Sequence, residues 1–251
     1  MAQYFIRRIF QSIVLLIGVS FIVFFLIRLT GDPVSLMISR DATMEQRKAF
    51  AEANGFNRSV GVQLVDYLGG IIQGDLGDSL QYRVPASELL AQRVPATIEL
   101  AVTALVLALI IGIPLGAIAG IYPNTWVDVL ARFIGLLGQI IPSFWLAMLL
   151  VFFVAVPIAF FPTFGRRGIE SLILPTFALG FGGIAQLVRL TRATVMEVMN
   201  ENYIRTAYAK GLGARYIGMH YVLRNAALPI VSIVGVQFTY LLGGSVYIES
   251  I

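Results

Sequence analysis

His220, Lys48 and Lys210 are the only imidazole and amine side chains in this chain, and it has no thiol. A single His with no Cys or second His beside it makes a poor metal site. No nucleophile stands next to a base that would activate it. Catalysis by this chain is therefore not expected, and His220 reads as a surface or docking residue. The lysines also exclude a phosphate loop of the form G-x-x-x-x-G-K-[ST], because Lys48 is followed by Ala49 and Lys210 by Gly211. ATP hydrolysis, if the protein depends on it, must take place on another chain.

The other groups with chemical potential sit inside or at the ends of apolar runs. Gln139, Gln186 and Gln237 are neutral polar groups that must find hydrogen bonds in a low-dielectric setting. They read either as glue between helices or as the lining of a pathway. Pro142, with Ser143 beside it, is placed to break an apolar run and free carbonyls toward a cavity, or to make a plain packing kink. Glu99, with Arg93 close by in sequence, is a headgroup-level acid or a substrate-path acid. Glu249 closes the last apolar run beside Gly243 and Gly244, where an acid at the mouth of a pathway would meet an amine or a metal complex.

The elements that must hold these residues are membrane helices. Of 251 residues, 58% are hydrophobic and 13% charged, against roughly 25% charged in soluble domains. Mean hydropathy is +0.83. One crossing takes about 20 residues, so the chain has room for several, as an all-α polytopic membrane protein. Five candidate spans are residues 9–27, 96–122, a stretch within 133–161, 171–188 and 226–248. The first follows an arginine pair in signal-peptide style, but it is long enough to span and no small-residue cleavage site follows. It reads as a retained signal anchor. The third tract exceeds one crossing and holds Pro142, Pro157 and Pro162, which predicts a re-entrant, interfacial or partner-covered part. The fourth is short and glycine-rich, suited to close helix contact. The organisation is thus an N-terminal segment with the first span (residues 1–30), a helical extracytoplasmic loop rich in turn signals (31–95), and a membrane core (96–251) with a polar elbow at 190–225.

Charge placement sets the orientation. The formal charge of +4 lies mostly beside apolar runs and not in a stripe, which argues against nucleic acid and for positive-inside topology. With the amino terminus inside, the cytoplasmic face holds Arg7, Arg8, Arg132, Arg189, Arg192, Arg205, Lys210, Arg215 and Arg224, with Asp128, Glu197 and Glu201 as its acids. The outer face holds nine cations as well, but six lie in the long loop among eight acids, where charge has less topogenic weight. Arg166 and Arg167 in the outer hairpin fit this arrangement badly. Tyr122 and Trp126 fall at the inner interface, where amphipathic aromatics are favoured.

The elbow is too polar to span and too patterned to be a slack connector. It reads as two short helices. Tyr203, Ile204, Ala207 and Tyr208 put an apolar strip on one side of the first, and Gly211 with Gly213 supplies the backbone freedom that stops it. The second, about residues 214–224, presents Tyr216, Met219, His220 and Leu223 before Pro229 interrupts the approach to the last span. An apolar helix side at a membrane surface must be buried in headgroups, in its own bundle or in another protein. Patterning leaves an interfacial helix and a docking element both open.

Residues 205–211, R-T-A-Y-A-K-G, resemble the E-A-A-x-x-x-G cytoplasmic loop of ATP-binding-cassette importer permeases, with Arg205 and Thr206 in place of the first Glu and Ala. An R-T-A-x-A-K-G-L form followed by R-N-A-x-L-P is usual in the dipeptide, oligopeptide and nickel branch, and residues 224–229 look like the second part. "YFIRRIF", "LIGVSFIVFFLIRLTGDPV", "GDLGDSL", "RVPATIELA" and "GGSVYIE" are similar to that branch's first span, outer loop, start of the second span and end of the fifth. These matches run in order from residue 4 to residue 249.

The resemblance implies a type I importer permease fold, multi-pass in a bacterial or archaeal inner membrane with its N-terminus cytoplasmic. It implies that Tyr203, Arg205, Thr206, Ala207, Lys210, Gly211, Gly213 and Arg215 form an ATPase-coupling element, a short helix seated in a groove of the ATPase. Gln139, Pro142, Ser143, Gln237 and Glu249 are the candidates for the translocation pathway. The implied partners are a homologous second permease, two ATPases, an extracytoplasmic substrate-binding protein and membrane lipid. No cofactor is expected on this chain, with ATP and magnesium bound by the ATPases. Short peptides, a nickel complex, glutathione-like molecules and opines all fit as cargo. One departure stands out: the family carries an F-S-x-P-G-L-G-like loop and a sixth span after the Glu-containing end, whereas this sequence stops at Ile251, as a truncated form or as a divergent five-span member with its carboxyl end outside. The rival readings are a membrane scaffold that recruits a cytoplasmic partner, and a secondary carrier. A carrier would place several ionisable groups at midplane, and this chain offers few.

Overall fold

A computed structural model describes residues 2–30, 34, 38, 42–79, 82 and 84–249, except for the side chains of Ala2, Thr30, Val246, Tyr247 and Glu249. Ten helices follow in order among the described elements named here: α1 Ala2–Thr30, α2 Met44–Ala53, α3 Val60–Gln73, α4 Ala86–Ile121, α5 Trp126–Ile140, α6 Ser143–Leu150, α7 Glu170–Met199, α8 Asn202–Ala209, α9 Ala214–Ile217 and α10 Leu223–Glu249. π-Helical turns extend α6 through Val151–Ala155 and join α9 to α10 through Gly218–Val222. Four helices are long and apolar enough to cross a membrane, and the bent pair α5–α6 makes up to a fifth. The all-α polytopic architecture expected from composition is the one observed.

The chain divides into two compact units, Met1–Arg93 and Val94–Ile251. In the first, α1 is an almost wholly exposed apolar helix, as a lipid-facing span is. Near its end Phe24 stacks on Tyr67 of α3 at 5.6 Å, while the Arg28 guanidinium lies over the Phe24 ring and donates to Gln63. α2 begins with a capping box, Thr43 and Gln46 each satisfying the other's backbone N–H. α3 stops at Gly74, whose φ of 81° suits glycine alone without strain.

The second unit is built on close approach. Gly112, Gly116 and Gly120 recur every fourth residue along α4 and face Leu187, Val188, Thr191 and Val195 of α7. A Cβ on Gly116 would lie 2.6 Å from the Val188 carbonyl oxygen. Backbones meet here, as small residues allow in membrane helix pairs. The glycine-rich part of α7 has the same use: Gly180 lies against Ala104 of α4, and Gly183 against the amide of Gln237 on α10.

Three expectations about the spans need correction. The third tract starts at Trp126, not Phe133, and Pro142 bends it by 101°. Ile141 is forced out of helical conformation (ψ 112°) because the proline ring after it forbids that region. Helical bonding then restarts from the Pro142 carbonyl, which accepts from Leu146 at 3.0 Å. The fourth span does not end at Val188. α7 continues to Met199 through Arg189 and Arg192, so Arg192 belongs to a helix and not to the elbow. Finally, α9 does not form a separate helix before the last span. It runs into α10 through the π-helical turn, and Pro229 is accommodated inside α10.

Candidate functional site

α8 is the centre of the elbow. It follows α7 after Asn200 and Glu201, and the Glu201 carbonyl accepts from Ile204 at 3.1 Å to start the helix. Its end is a two-bond glycine cap. Gly211, at φ 76°, donates to Tyr208 at 2.9 Å, and Leu212 donates to Ala207 at 3.3 Å. The left-handed conformation at Gly211 is what turns the chain, so the glycine expected from sequence to stop this helix does so. Gly213 has an ordinary negative φ and instead leads into α9.

The apolar strip expected on one side of α8 is divided in the structure. Ile204 and Ala207 are buried, at 1% and 4% exposure, in a core that includes Val195 of α7, Ala131 of α5 and Ile217 of α9. Ala207 therefore packs α8 against its own bundle. Tyr203 and Tyr208 remain 40% and 44% exposed. Arg205, Thr206, Lys210, Gly211, Gly213 and Arg215 are exposed with them. Partial burial, and then the Glu201 carboxylate, raises the Tyr203 phenol above its usual value. Past the turn, Tyr216 stacks on His220 at 4.2 Å. The outcome is a firmly seated short helix with a polar and aromatic outer face.

Between α5 and α7 lies a feature that sequence reading missed. Asp128, counted only as an inner-face acid, is fully buried. It is gripped side-on by Nε and Nη2 of Arg192 from α7, accepts the backbone N–H of Asn124 at 2.9 Å, and has Arg132 at 3.6 Å. The available signal was a lone acid in the first turn of an apolar helix, which requires a cationic partner when buried. Which of several arginines supplies it was not legible.

At the opposite end of the second unit from Asp128 lies Glu99. Its partner is Arg166, one of the two outer-hairpin arginines that fitted the charge rule badly. Arg93 lies in the first unit over the Tyr82 ring. The Glu99–Arg166 pair is exposed and borders a cavity of about 670 Å³ that also holds the hydroxyl pair of Thr103 and Thr176, 3.0 Å apart. A neighbouring cavity of about 440 Å³ is bordered by Arg166, Glu170 and Ile248.

Of the pathway candidates, Gln139, Pro142, Ser143 and Gln237 do not line either cavity. Gln139 and Pro142 are exposed, and Ser143 is half-buried at the break between α5 and α6. Gln237 is buried at 4%, its amide nitrogen against Gly183 and its carbonyl oxygen without a hydrogen-bond partner. The side chain of Glu249 lies outside the described residues. Among the described residues no group of three or more acidic or histidine side chains is placed to hold a metal ion. What the second unit presents is a short helix partly buried in its bundle at one end, cavities at the other, and close-packed helices between.

Comparison with known proteins gives this arrangement a context. Residues 112–251 match the family described as binding-protein-dependent transport system inner membrane component. Residues 1–101 match the N-terminal part of such membrane components. The oligopeptide transport system permease protein AppB of Bacillus subtilis (strain 168) is 36% identical over 263 residues, covering 100% of this chain and 83% of the relative. The glutathione transport system permease protein GsiC of Escherichia coli (strain K12) is 35% identical over 252 residues, covering 100% of this chain and 82% of the relative.

Proposed function

The chain belongs to the family of binding-protein-dependent transport system inner membrane components, and from that premise we propose that α8 and the turn after it are the seat of a partner ATPase. The protein is a multi-pass permease subunit of an ATP-driven importer, and neither a scaffold nor a secondary carrier. The reading of the elbow rests above all on the division of α8: Ile204 and Ala207 fasten it to the helical bundle, while Tyr203, Arg205, Thr206, Tyr208 and Lys210 face outward. A handle must be fixed on one side and free on the other.

In this reading the N-terminus is cytoplasmic, as the placement of Lys and Arg supports. A second permease, two ATPases that bind ATP and magnesium, and an extracytoplasmic receptor complete the importer. Closure of the ATPases moves α8, and the cavity between the two permeases changes the side to which it opens. The cargo is a short peptide or a glutathione-like molecule, the classes named for the relatives AppB and GsiC. Gln237, with its buried unpartnered carbonyl, and the Pro142–Ser143 break are the first pathway positions to test by uptake assays.

The test is Gly211→Val. A β-branched residue at φ 76° is strained whatever space surrounds it. The turn and the face of α8 are then displaced while the spans are left alone. The expected result is a subunit that inserts and accumulates normally in an importer whose uptake falls at least tenfold. Normal uptake by this variant overturns the coupling role.

A further inference from the structure

Arg192 sits seven residues before the end of α7, or about 10 Å along the helix, and only Asn200 and Glu201 separate that end from α8. Its partner Asp128 serves three elements with one carboxylate. It accepts from Nε and Nη2 of Arg192 on α7, lies on α5 itself, and accepts the N–H of Asn124 in the turn between α4 and α5. Asn124 has a φ of 64°, the one left-handed non-glycine residue among those described, so this carboxylate also secures a turn that would otherwise be costly. On its other side, the Arg192 backbone lies against α4. A Cβ on Gly116 would be 3.2 Å from the Arg192 nitrogen, and one on Gly120 would be 2.8 Å from its carbonyl oxygen. One turn further along each helix, Ala131 and Val195 belong to the core that holds Ile204 and Ala207 of α8.

We propose that the Asp128–Arg192 pair is the rigid joint through which displacement of α8 reaches the transmembrane helices, making both residues positioning residues for coupling. The proposal rests on the reading of α8 as the ATPase seat. The chemistry favours a joint over a simple stabilising contact. Apolar side chains of similar volume serve stability as well as a buried ion pair or better, but they slide past one another. A two-pronged guanidinium–carboxylate pair fixes both distance and angle. Here it locks α7, α5 and the α4–α5 turn into one body about 10 Å along α7 from the end that leads to α8.

The experiment uses the complete importer, and the absence of native cysteine in this chain permits single-site labelling of the permease. Tyr208→Cys on α8 carries a spin label that reports ATPase attachment. Phe164→Cys, 78% exposed in the outer hairpin, carries one that reports the far end. ATP with vanadate is the trigger, so no cargo is needed. Asp128→Asn with Arg192→Met retains an acceptor for the Asn124 N–H and fills the arginine's place without charge. We expect the ATPase to immobilise the Tyr208 label as before, and the trapped-state change at Phe164 to fall at least fivefold. An unchanged response at Phe164 overturns the joint. If the double variant does not assemble, Arg192→Lys keeps the charge but loses the fork, and an unchanged Phe164 response there is equally fatal. Failure of the ATPase to immobilise the Tyr208 label in the otherwise unaltered importer overturns the ATPase-seat reading itself, and the joint with it.

Discussion

The two ends of the membrane core each carry an arginine–carboxylate pair, and the pairs differ in almost everything but their chemistry. Asp128–Arg192 is two-pronged and surrounded by helices packed at backbone distance, with the Asp side chain 0% and the Arg side chain 22% exposed. Glu99–Arg166 is 40% and 58% exposed and borders a cavity. A pair withdrawn from water fixes geometry, and breaking it is expensive because the surviving charge has nowhere to go. A pair in water exchanges partners freely and is worth little. One end of the core thus carries the pair that fixes geometry, and the cavity-bearing end the pair that does not.

The largest test of this contrast is Asp128→Ala. It strands Arg192 and removes the acceptor for Asn124, and should destabilise the core by about 3–5 kcal/mol, visible as a large loss of accumulated protein or of thermal midpoint in detergent. Gly116→Ala comes next. Its methyl would meet the Val188 carbonyl at 2.6 Å, and backbone does not move aside as a side-chain end does, so a cost of about 1–3 kcal/mol is expected. A thermal midpoint equal to the parent's would show the α4–α7 contact to be looser than described. At the cavity end, Thr103→Val removes the hydroxyl partner of Thr176 and should cost about 1 kcal/mol by the same assay. Glu99→Gln should cost at most about 1 kcal/mol, and that little should vanish at high salt. A double-mutant cycle on Glu99 and Arg166 giving a coupling as large as that of Asp128 and Arg192 would erase the distinction between the two ends.

The elbow teaches the same lesson about what sequence pattern can carry. Tyr203, Ile204, Ala207 and Tyr208 form one apolar strip by periodicity, and periodicity is blind to which part of a strip its own bundle covers. The bundle takes Ile204 and Ala207 and leaves the two tyrosines outside. The stop at Gly211 was legible because a glycine cap is local chemistry, decided within a few residues of backbone. The break at Pro142 was legible for the same reason. The run of α7 to Met199 was not, because Arg192 looked like a loop charge until its partner was known.

By itself the sequence determined the helical class, the membrane setting, the positions of most spans, the turn that ends α8 and the family resemblance, because each depends on composition or on chemistry between near neighbours. Tertiary structure decided the partners: Asp128 with Arg192 across 64 positions of chain, Glu99 with Arg166 across 67, and Gln237 against Gly183. Such pairings follow from how close the helices approach and at what angle they cross. Those quantities are set by the glycines and alanines of several helices acting together, and no single stretch of sequence contains them.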